Sequence, residues 1–246
     1  MKSQLVILAR DASLLAIDKP SGLAVLPGRG RDDSLLQQVT RELAPENITP
    51  LPVHRIDADT SGLVIFALTR AAQRALSGQF LQRTVTKEYL ALVRGNPLHA
   101  TGTIDLPLGP DPKDKTRMII HGKNVKAAIS RWEVEQAFRG LTLLRVFPET
   151  GRRHQIRVHL KAIGYPLAVD PLYGGEPLRL SEFKRNYKIG KWENERPMIA
   201  RLTLHAHRLR LTHPETDLPL ELEAPLPKDF RATIASLGRW ATNARA

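Results

Sequence analysis

The polar run HRIDADTSGL, residues 54–63, passes directly into the apolar stretch LVIFAL, residues 63–68, which stops before Thr69. A short apolar run with β-branched members, bounded by turn-forming residues, reads as a buried strand. A carboxylate-bearing loop therefore enters a core strand, and core strands hold attached groups at fixed positions better than free loops do. The loop carries two acids, Asp57 and Asp59, with Arg55 two residues before the first. On the local pattern two readings stand level: Asp57 carries chemistry, or the acids merely cap a turn.

Composition narrows the classes. With 246 residues the chain has room for one large domain or two small ones. It contains no cysteine, which excludes disulfides, thiol catalysis and cysteine-ligated metal sites. No apolar run approaches the roughly 20 residues of a membrane span, and LVILA near the N-terminus is too short for a signal peptide. The cytoplasm is the expected compartment. The formal charge of +12 favours a polyanionic partner, with nucleic acid ahead of a membrane surface because no continuous basic amphipathic helix is visible.

Taken in order, LVILA (5–9) and LLAI (14–17) read as strands joined by a turn. DKPSGLAVLPGRGR gives a rigid turn, a short strand at LAVL and a flexible basic loop. Asp33 and Ser34 start a helix, with Leu35, Leu36, Val39 and Leu43 at helical spacing. Thr69 caps a second helix over 70–83. In TVTKEYLALVRG the alternation predicts a strand with Tyr89 on the face of Ala91 and Val93. Residues 99–126 read as basic loop. AISRWEVEQAF and LTLLRVFPE are strands, and Ile156, Leu160 and Ile163 form the stripe of a helix ended by Gly164. Arg153, Arg157 and Lys161 are placed on one basic edge of that helix. Residues 176–198 read as a polar surface insertion. RLTLHAHRLRLTHP and LPLELEAP form an antiparallel pair, and KDFRATIASLGRWATNARA is a closing helix.

Several of these segments resemble motifs of the RluA-type pseudouridine synthases. KPSG matches K-P-x-G, HRIDADTSGL matches HRLD…(T/S)-S-G-L, and KEYLALVRG matches K-x-Y-x-A-x-V-x-G. TGRRHQIRVHL with GYPLAVDPLYG matches T-G-R-x-H-Q-I/L-R-V-H-L followed by G-H-P-I-x-G-D-x-x-Y-G. The departures are Tyr165 for His and Val169 for Gly, a residue that tolerates positive φ where Val does not. The HA…L…HP…APLP order near the C-terminus agrees as well.

The resemblance implies an α+β fold: a mixed, mostly antiparallel sheet flanked by helices, with a basic active-site cleft. Residues 1–246 are expected to form a single catalytic domain with no separate N-terminal RNA-binding module. The implied reaction isomerises specific uridines in ribosomal or transfer RNA to pseudouridine, with no cofactor and no metal. In this reading Asp57 is the catalytic carboxylate, Arg157 pairs with it and favours its ionised form, and Tyr89 stacks on the uracil and assists proton removal. His54, Arg55, Thr60, Arg152, His154 and Gln155 are the expected RNA contacts, with Arg55 filling the space left by a flipped base. A monomer without an obligate protein partner is expected.

Rival chemistries fit less well. Paired glycosidase carboxylates flank the scissile bond, whereas Asp57 and Asp59 lie on one short segment. His154 and His159 are five apart and share no helix face, which argues against a metal pair. No G-x-S-x-G elbow accompanies Ser61. An RNA-binding protein without catalysis and a small-molecule nucleosidase stay as alternatives. The presence of Asp57, Tyr89 and Arg157 speaks against the first, and the basic charge against the second.

Overall fold

The apolar run after the HRID motif is indeed a strand as far as Ala67, and every residue of that strand is buried, whereas Leu68 is half-buried outside it. A computed structural model describes residues 5–28, 33–184, 186–188 and 194–242. In chain order the elements are β1 (Val6–Arg10), β2 (Leu14–Lys19), α1 (Leu35–Leu43), β3 (Leu51–Pro52), β4 (Ser61–Ala67), α2 (Arg70–Gln82), β5 (Thr86–Arg94), β6 (Thr101–Asp105), β7 (Gly109–Pro110), β8 (Met118–Ile119), β9 (Ile129–Phe138), β10 (Leu141–Pro148), α3 (Gln155–Ala162), β11 (Leu204–Thr212), β12 (Pro219–Glu223) and α4 (Lys228–Trp240). The architecture is α+β. Antiparallel pairs dominate, and β4 with β11 is a parallel one, so the pairing is mixed. Among the described residues no helix is long and apolar enough to cross a membrane.

The chain forms two compact units: residues up to Tyr89 with His205–Pro225, and Leu90–Leu204 with the residues from Leu226 on. In the first, strands run in the order β1-β2-β4-β11, with β12 on β11 and β3 on β4. β4 pairs with β2 along one side and with β3 and β11 at opposite ends of the other, which explains its complete burial. α2 packs Ala72 and Leu76 against Leu63, Ile65 and Ala67 of this strand. α1 packs Leu35, Val39 and Leu43 with Val64 and Phe66 in a second cluster. The helix starts are those the sequence predicts: Ser34 Oγ accepts the Gln37 N–H, and Thr69 Oγ1 the Ala72 N–H.

In the second unit the strand order is β5-β10-β9-β6. Phe230 and Leu237 of α4 pack with Leu90, Leu92, Leu141 and Leu143. Val158 of α3 joins Leu108, Ala128 and Tyr173 in a smaller cluster.

Three expectations need correction. LAVL, 23–26, is not a strand. Its Ala24 and Val25 carbonyls accept the N–H groups of Leu35 and Leu36, two of the donors a helix start leaves unpaired. The segment 99–126 is not all loop, for it holds β6, paired antiparallel to β9, and the β7–β8 hairpin. Polar, glycine-bearing TGTID hides a strand because an edge strand needs little apolar character. The 176–198 segment is anchored, not merely superficial: Leu178 and Phe183 are buried with α4 residues, and Leu178 bridges Ile199. The basic loop expected after Gly28 falls on residues 29–32, outside the described residues.

Candidate active site

Asp57 sits in a four-residue turn, Asp57–Thr60, closed by the Thr60 N–H donating to the Asp57 carbonyl at 3.2 Å. Its neighbours alternate: Arg55 is exposed, Ile56 is buried in the α1 cluster, Asp57 is half-buried and Asp59 is exposed. The turn is held from below by the KPSG segment. Lys19 ends β2 and is completely buried, with its Nζ donating to the carbonyls of Pro20, Leu23 and Ala58 at 2.7–2.8 Å. The Gly22 N–H also donates to the Ala58 carbonyl, and Ser21 Oγ donates to that of Asp59. Both residues that follow Asp57 are therefore fixed by their main-chain oxygens. Sequence reasoning read KPSG as a rigid turn that matches a family motif, and gave Lys19 no role in holding Asp57. The available signal was a lysine at the end of a strand that opens with the apolar run LLAI, where a buried ammonium must find acceptors.

The exit from the turn is equally constrained. Ser61 Oγ lies 2.9 Å from His205 Nδ1, and His205 Nε2 lies 3.1 Å from the Ala224 carbonyl. A carbonyl only accepts, so Nε2 carries the proton, and Nδ1 accepts from Ser61. Gly62 has φ +113°, and a Cβ there would clash with the Ala206 carbonyl oxygen. The parallel pairing of Ser61 and Gly62 with His205 and Ala206 thus requires glycine.

His54 accepts the Ile65 N–H on Nε2 at 2.9 Å and stacks on Phe80, with ring centroids 4.6 Å apart. Burial, aided by the charge of Lys87, pushes its pKa down to about 3, so the ring is neutral. It braces the loop entry against β4 and α2. Tyr89, on β5, packs with Ile56, Val64 and Ala206. Burial first, then the negative charge of Asp57, raises its phenol above the usual range. Tyr89 therefore stays protonated at neutral pH, which suits stacking better than base catalysis. Two residues earlier on the same strand, burial lowers Lys87 to about 8. Thr60 is buried, with 1% of its surface exposed.

The remaining expected residues lie in the second unit. α3 has no solvated face over Gln155–Leu160, all of which are buried. Arg157, 2% exposed, donates Nε and Nη2 to the two oxygens of Asp170 at 2.9 and 2.6 Å. The Tyr173 ring lies against its guanidinium, 5.0 Å from centroid to Cζ. Asp170 also accepts the N–H groups of Leu172 and Tyr173. Val169 does not take a positive φ, and the turn before Asp170 forms without the glycine. The expected basic edge is divided: Arg157 is buried, whereas Arg153 and Lys161 are exposed. Arg153 precedes the helix and donates to the Lys115 and Arg117 carbonyls, and Lys161 donates to that of Tyr173.

His154, at φ +54°, places Nδ1 2.7 Å from the Tyr173 hydroxyl. Burial and the charges of Arg157 and Arg153 push its pKa down to about 4. The Gln155 amide is fully used inside the protein. Its oxygen accepts from Thr150 Oγ1 and the Arg152 N–H, and its nitrogen donates to the Ile129 carbonyl and Ser130 Oγ. Gln155 thus shapes the turn that presents Arg152, whose Nε donates to the Ala127 carbonyl. Asp170 and Tyr173 were missed as functional residues, because spacing along the chain does not show that they frame Arg157. Among the described residues no group of three His, Asp or Glu side chains is placed to hold a metal ion.

The family model described as RNA pseudouridylate synthase matches residues 13–162. The ribosomal large subunit pseudouridine synthase D of Nitrosomonas europaea is 41% identical over 237 residues, which cover 95% of this chain and 65% of that protein. The uncharacterized RNA pseudouridine synthase YlyB of Bacillus subtilis is 39% identical over 236 residues, covering 92% of this chain and 71% of its own length. This chain thus spans about two thirds of the length of these relatives. The solved structure of human RNA pseudouridylate synthase domain containing 1 superposes with a TM-score of 0.72 at 26% identity, covering 99% of this chain and 91% of that one.

Proposed function

From the premise that this chain belongs to the RNA pseudouridylate synthase family, we propose that it isomerises specific uridines of ribosomal RNA to pseudouridine, with Asp57 as the reacting carboxylate. The relatives whose names give a substrate specify the large ribosomal subunit, which favours ribosomal over transfer RNA. The observation that carries the reading is the Asp57 turn. A half-buried carboxylate stands on a loop whose main chain is fixed on both sides, beside a tyrosine that feels its charge.

The reaction breaks the bond from the ribose anomeric carbon to uracil N1, turns the base and joins its C5 to the same carbon; the C5 proton is released and N1 gains one, so the atoms balance. No net oxidation or hydrolysis occurs. A duplex hides both atoms, so the nucleotide swings out of its stack to reach Asp57. Arg55, exposed two residues before Asp57, fills the space it leaves. Asp57 acts at the sugar or base as an anion, and Tyr89 stacks on the uracil as a neutral phenol. Arg157, its plane set by Asp170 and Tyr173, is the side chain that matches the family's basic residue. Arg152 and His154 contact RNA from the turn before α3, and Gln155 holds that turn in shape. The RNA is attracted by the net charge of +12.

The test is incubation of the protein with ribosomal RNA labelled with tritium at uridine C5. Isomerisation releases tritium while the base stays bonded to RNA. Appearance of free uracil would instead identify a nucleosidase, and binding without release would identify an RNA-binding protein.

A further inference from the structure

Among the described residues, Thr60 Oγ1 is the one buried side-chain nitrogen or oxygen with no hydrogen-bond partner. Such atoms are rare because they forfeit the bonds that water would have supplied. The surroundings make this one conspicuous. Ala58 and Asp59 have their carbonyls bonded, Ser61 has its hydroxyl on His205, and Thr60 has its own N–H on the Asp57 carbonyl. The Thr60 hydroxyl is the buried group left over in a loop whose main chain is otherwise tied down. With 1% of its surface exposed, Thr60 is not placed to touch RNA directly.

The turn supplies an acceptor. A bond from residue i+3 back to residue i keeps the two Cα atoms within about 7 Å. Rotation about the Thr60 Cα–Cβ bond moves the hydroxyl among three staggered positions. An ionised carboxylate only accepts, at about four lone-pair positions. When RNA covers Asp57 it removes water from those positions, and a carboxylate deprived of water needs fixed donors. We propose that Thr60 is a positioning residue whose hydroxyl bonds the Asp57 carboxylate in the RNA-bound state and holds it in its reactive orientation. This rests on Asp57 being the reacting carboxylate. The unpaired donor in the free protein is the cost of having it ready for the complex.

Three variants test this: Thr60→Val, which keeps the shape and removes the hydroxyl, Thr60→Ser, which keeps the hydroxyl, and Thr60→Ala. Thermal unfolding and kcat and KM on ribosomal RNA are measured for each. Thr60→Val is expected to unfold at the wild-type temperature or about 2–4 °C above it. Its kcat should fall at least about tenfold with KM unchanged, the mark of an interaction made in the transition state. Thr60→Ser should stay within about threefold of wild-type kcat. Wild-type kcat in Thr60→Val overturns the proposal, as does a loss confined to KM or one that follows a lowered unfolding temperature. If Thr60→Val does not fold, Thr60→Ala is read by the same kinetic criterion. A wild-type protein that forms no pseudouridine would instead defeat the underlying assignment, so the two failures are distinct.

Discussion

Replacing Lys19 by Met should loosen the Asp57 turn while keeping most of the packing, since the two side chains have similar length. The Nζ group makes three bonds of 2.7–2.8 Å to carbonyls. One of these, to Ala58, is backed by the Gly22 N–H, so that oxygen keeps a partner. Pro20 is exposed, and its carbonyl regains water. The loss falls chiefly on Leu23 and on the charge-assisted tie to Ala58. Hydrogen bonds to charged groups contribute about 1.5–3 kcal/mol each, and removing the buried ammonium recovers part of its desolvation cost, leaving about 2–4 kcal/mol net. For a domain of this size that lowers Tm by about 5–15 °C. A displacement of about 1 Å at a reacting group costs on the order of a hundredfold in rate, so kcat should fall by more than the lost folded fraction explains. The assay is thermal unfolding, together with tritium release at a temperature where the variant is fully folded. Wild-type Tm and turnover in Lys19→Met would refute the idea that this lysine pins the catalytic turn.

Other outcomes follow from the same geometry. Gly62→Ala forces a Cβ against the Ala206 carbonyl and should yield no soluble folded protein, whereas normal expression and Tm would show that β11 can move away. Asp170→Asn breaks the buried bidentate pair with Arg157 and should destabilise by about 3–5 kcal/mol in denaturant titration; an unchanged midpoint would contradict this. Acid should weaken the fold through two neutral histidines. Below pH 6.5 the unfolded chain takes up protons that the folded protein refuses until about pH 4 at His154 and about pH 3 at His54. Stability therefore falls as pH drops through that window and returns above it. His54→Gln should flatten the slope in unfolding measured from pH 7 to pH 4, and an identical slope would remove His54 from the explanation.

Much of the framework was legible because local signals and burial agree. The alternation in TVTKEYLALVRG, the caps at Ser34 and Thr69 and the apolar run after the HRID motif each became the element they suggest. LAVL misled because its carbonyls serve a helix start eleven residues later, a tertiary use that no period reveals. TGTID misled because an edge strand is built from polar residues. For the site, the motifs located the side chains but not their supports. Lys19, His205 and Asp170 act through buried hydrogen bonds and Gly62 through a close main-chain approach to Ala206, and pattern along the chain shows none of those distances. Gln155 and Thr60 were legible as motif members, yet burial assigns them inward roles that residue type alone does not indicate.

The most direct measurement is a map of pseudouridine in ribosomal RNA from cells lacking this protein, complemented with the wild-type chain or with Asp57→Ala. One or a few uridines should lose the modification, regain it with the wild-type chain and stay unmodified with Asp57→Ala at equal protein level. Restoration by Asp57→Ala would contradict the assignment of Asp57.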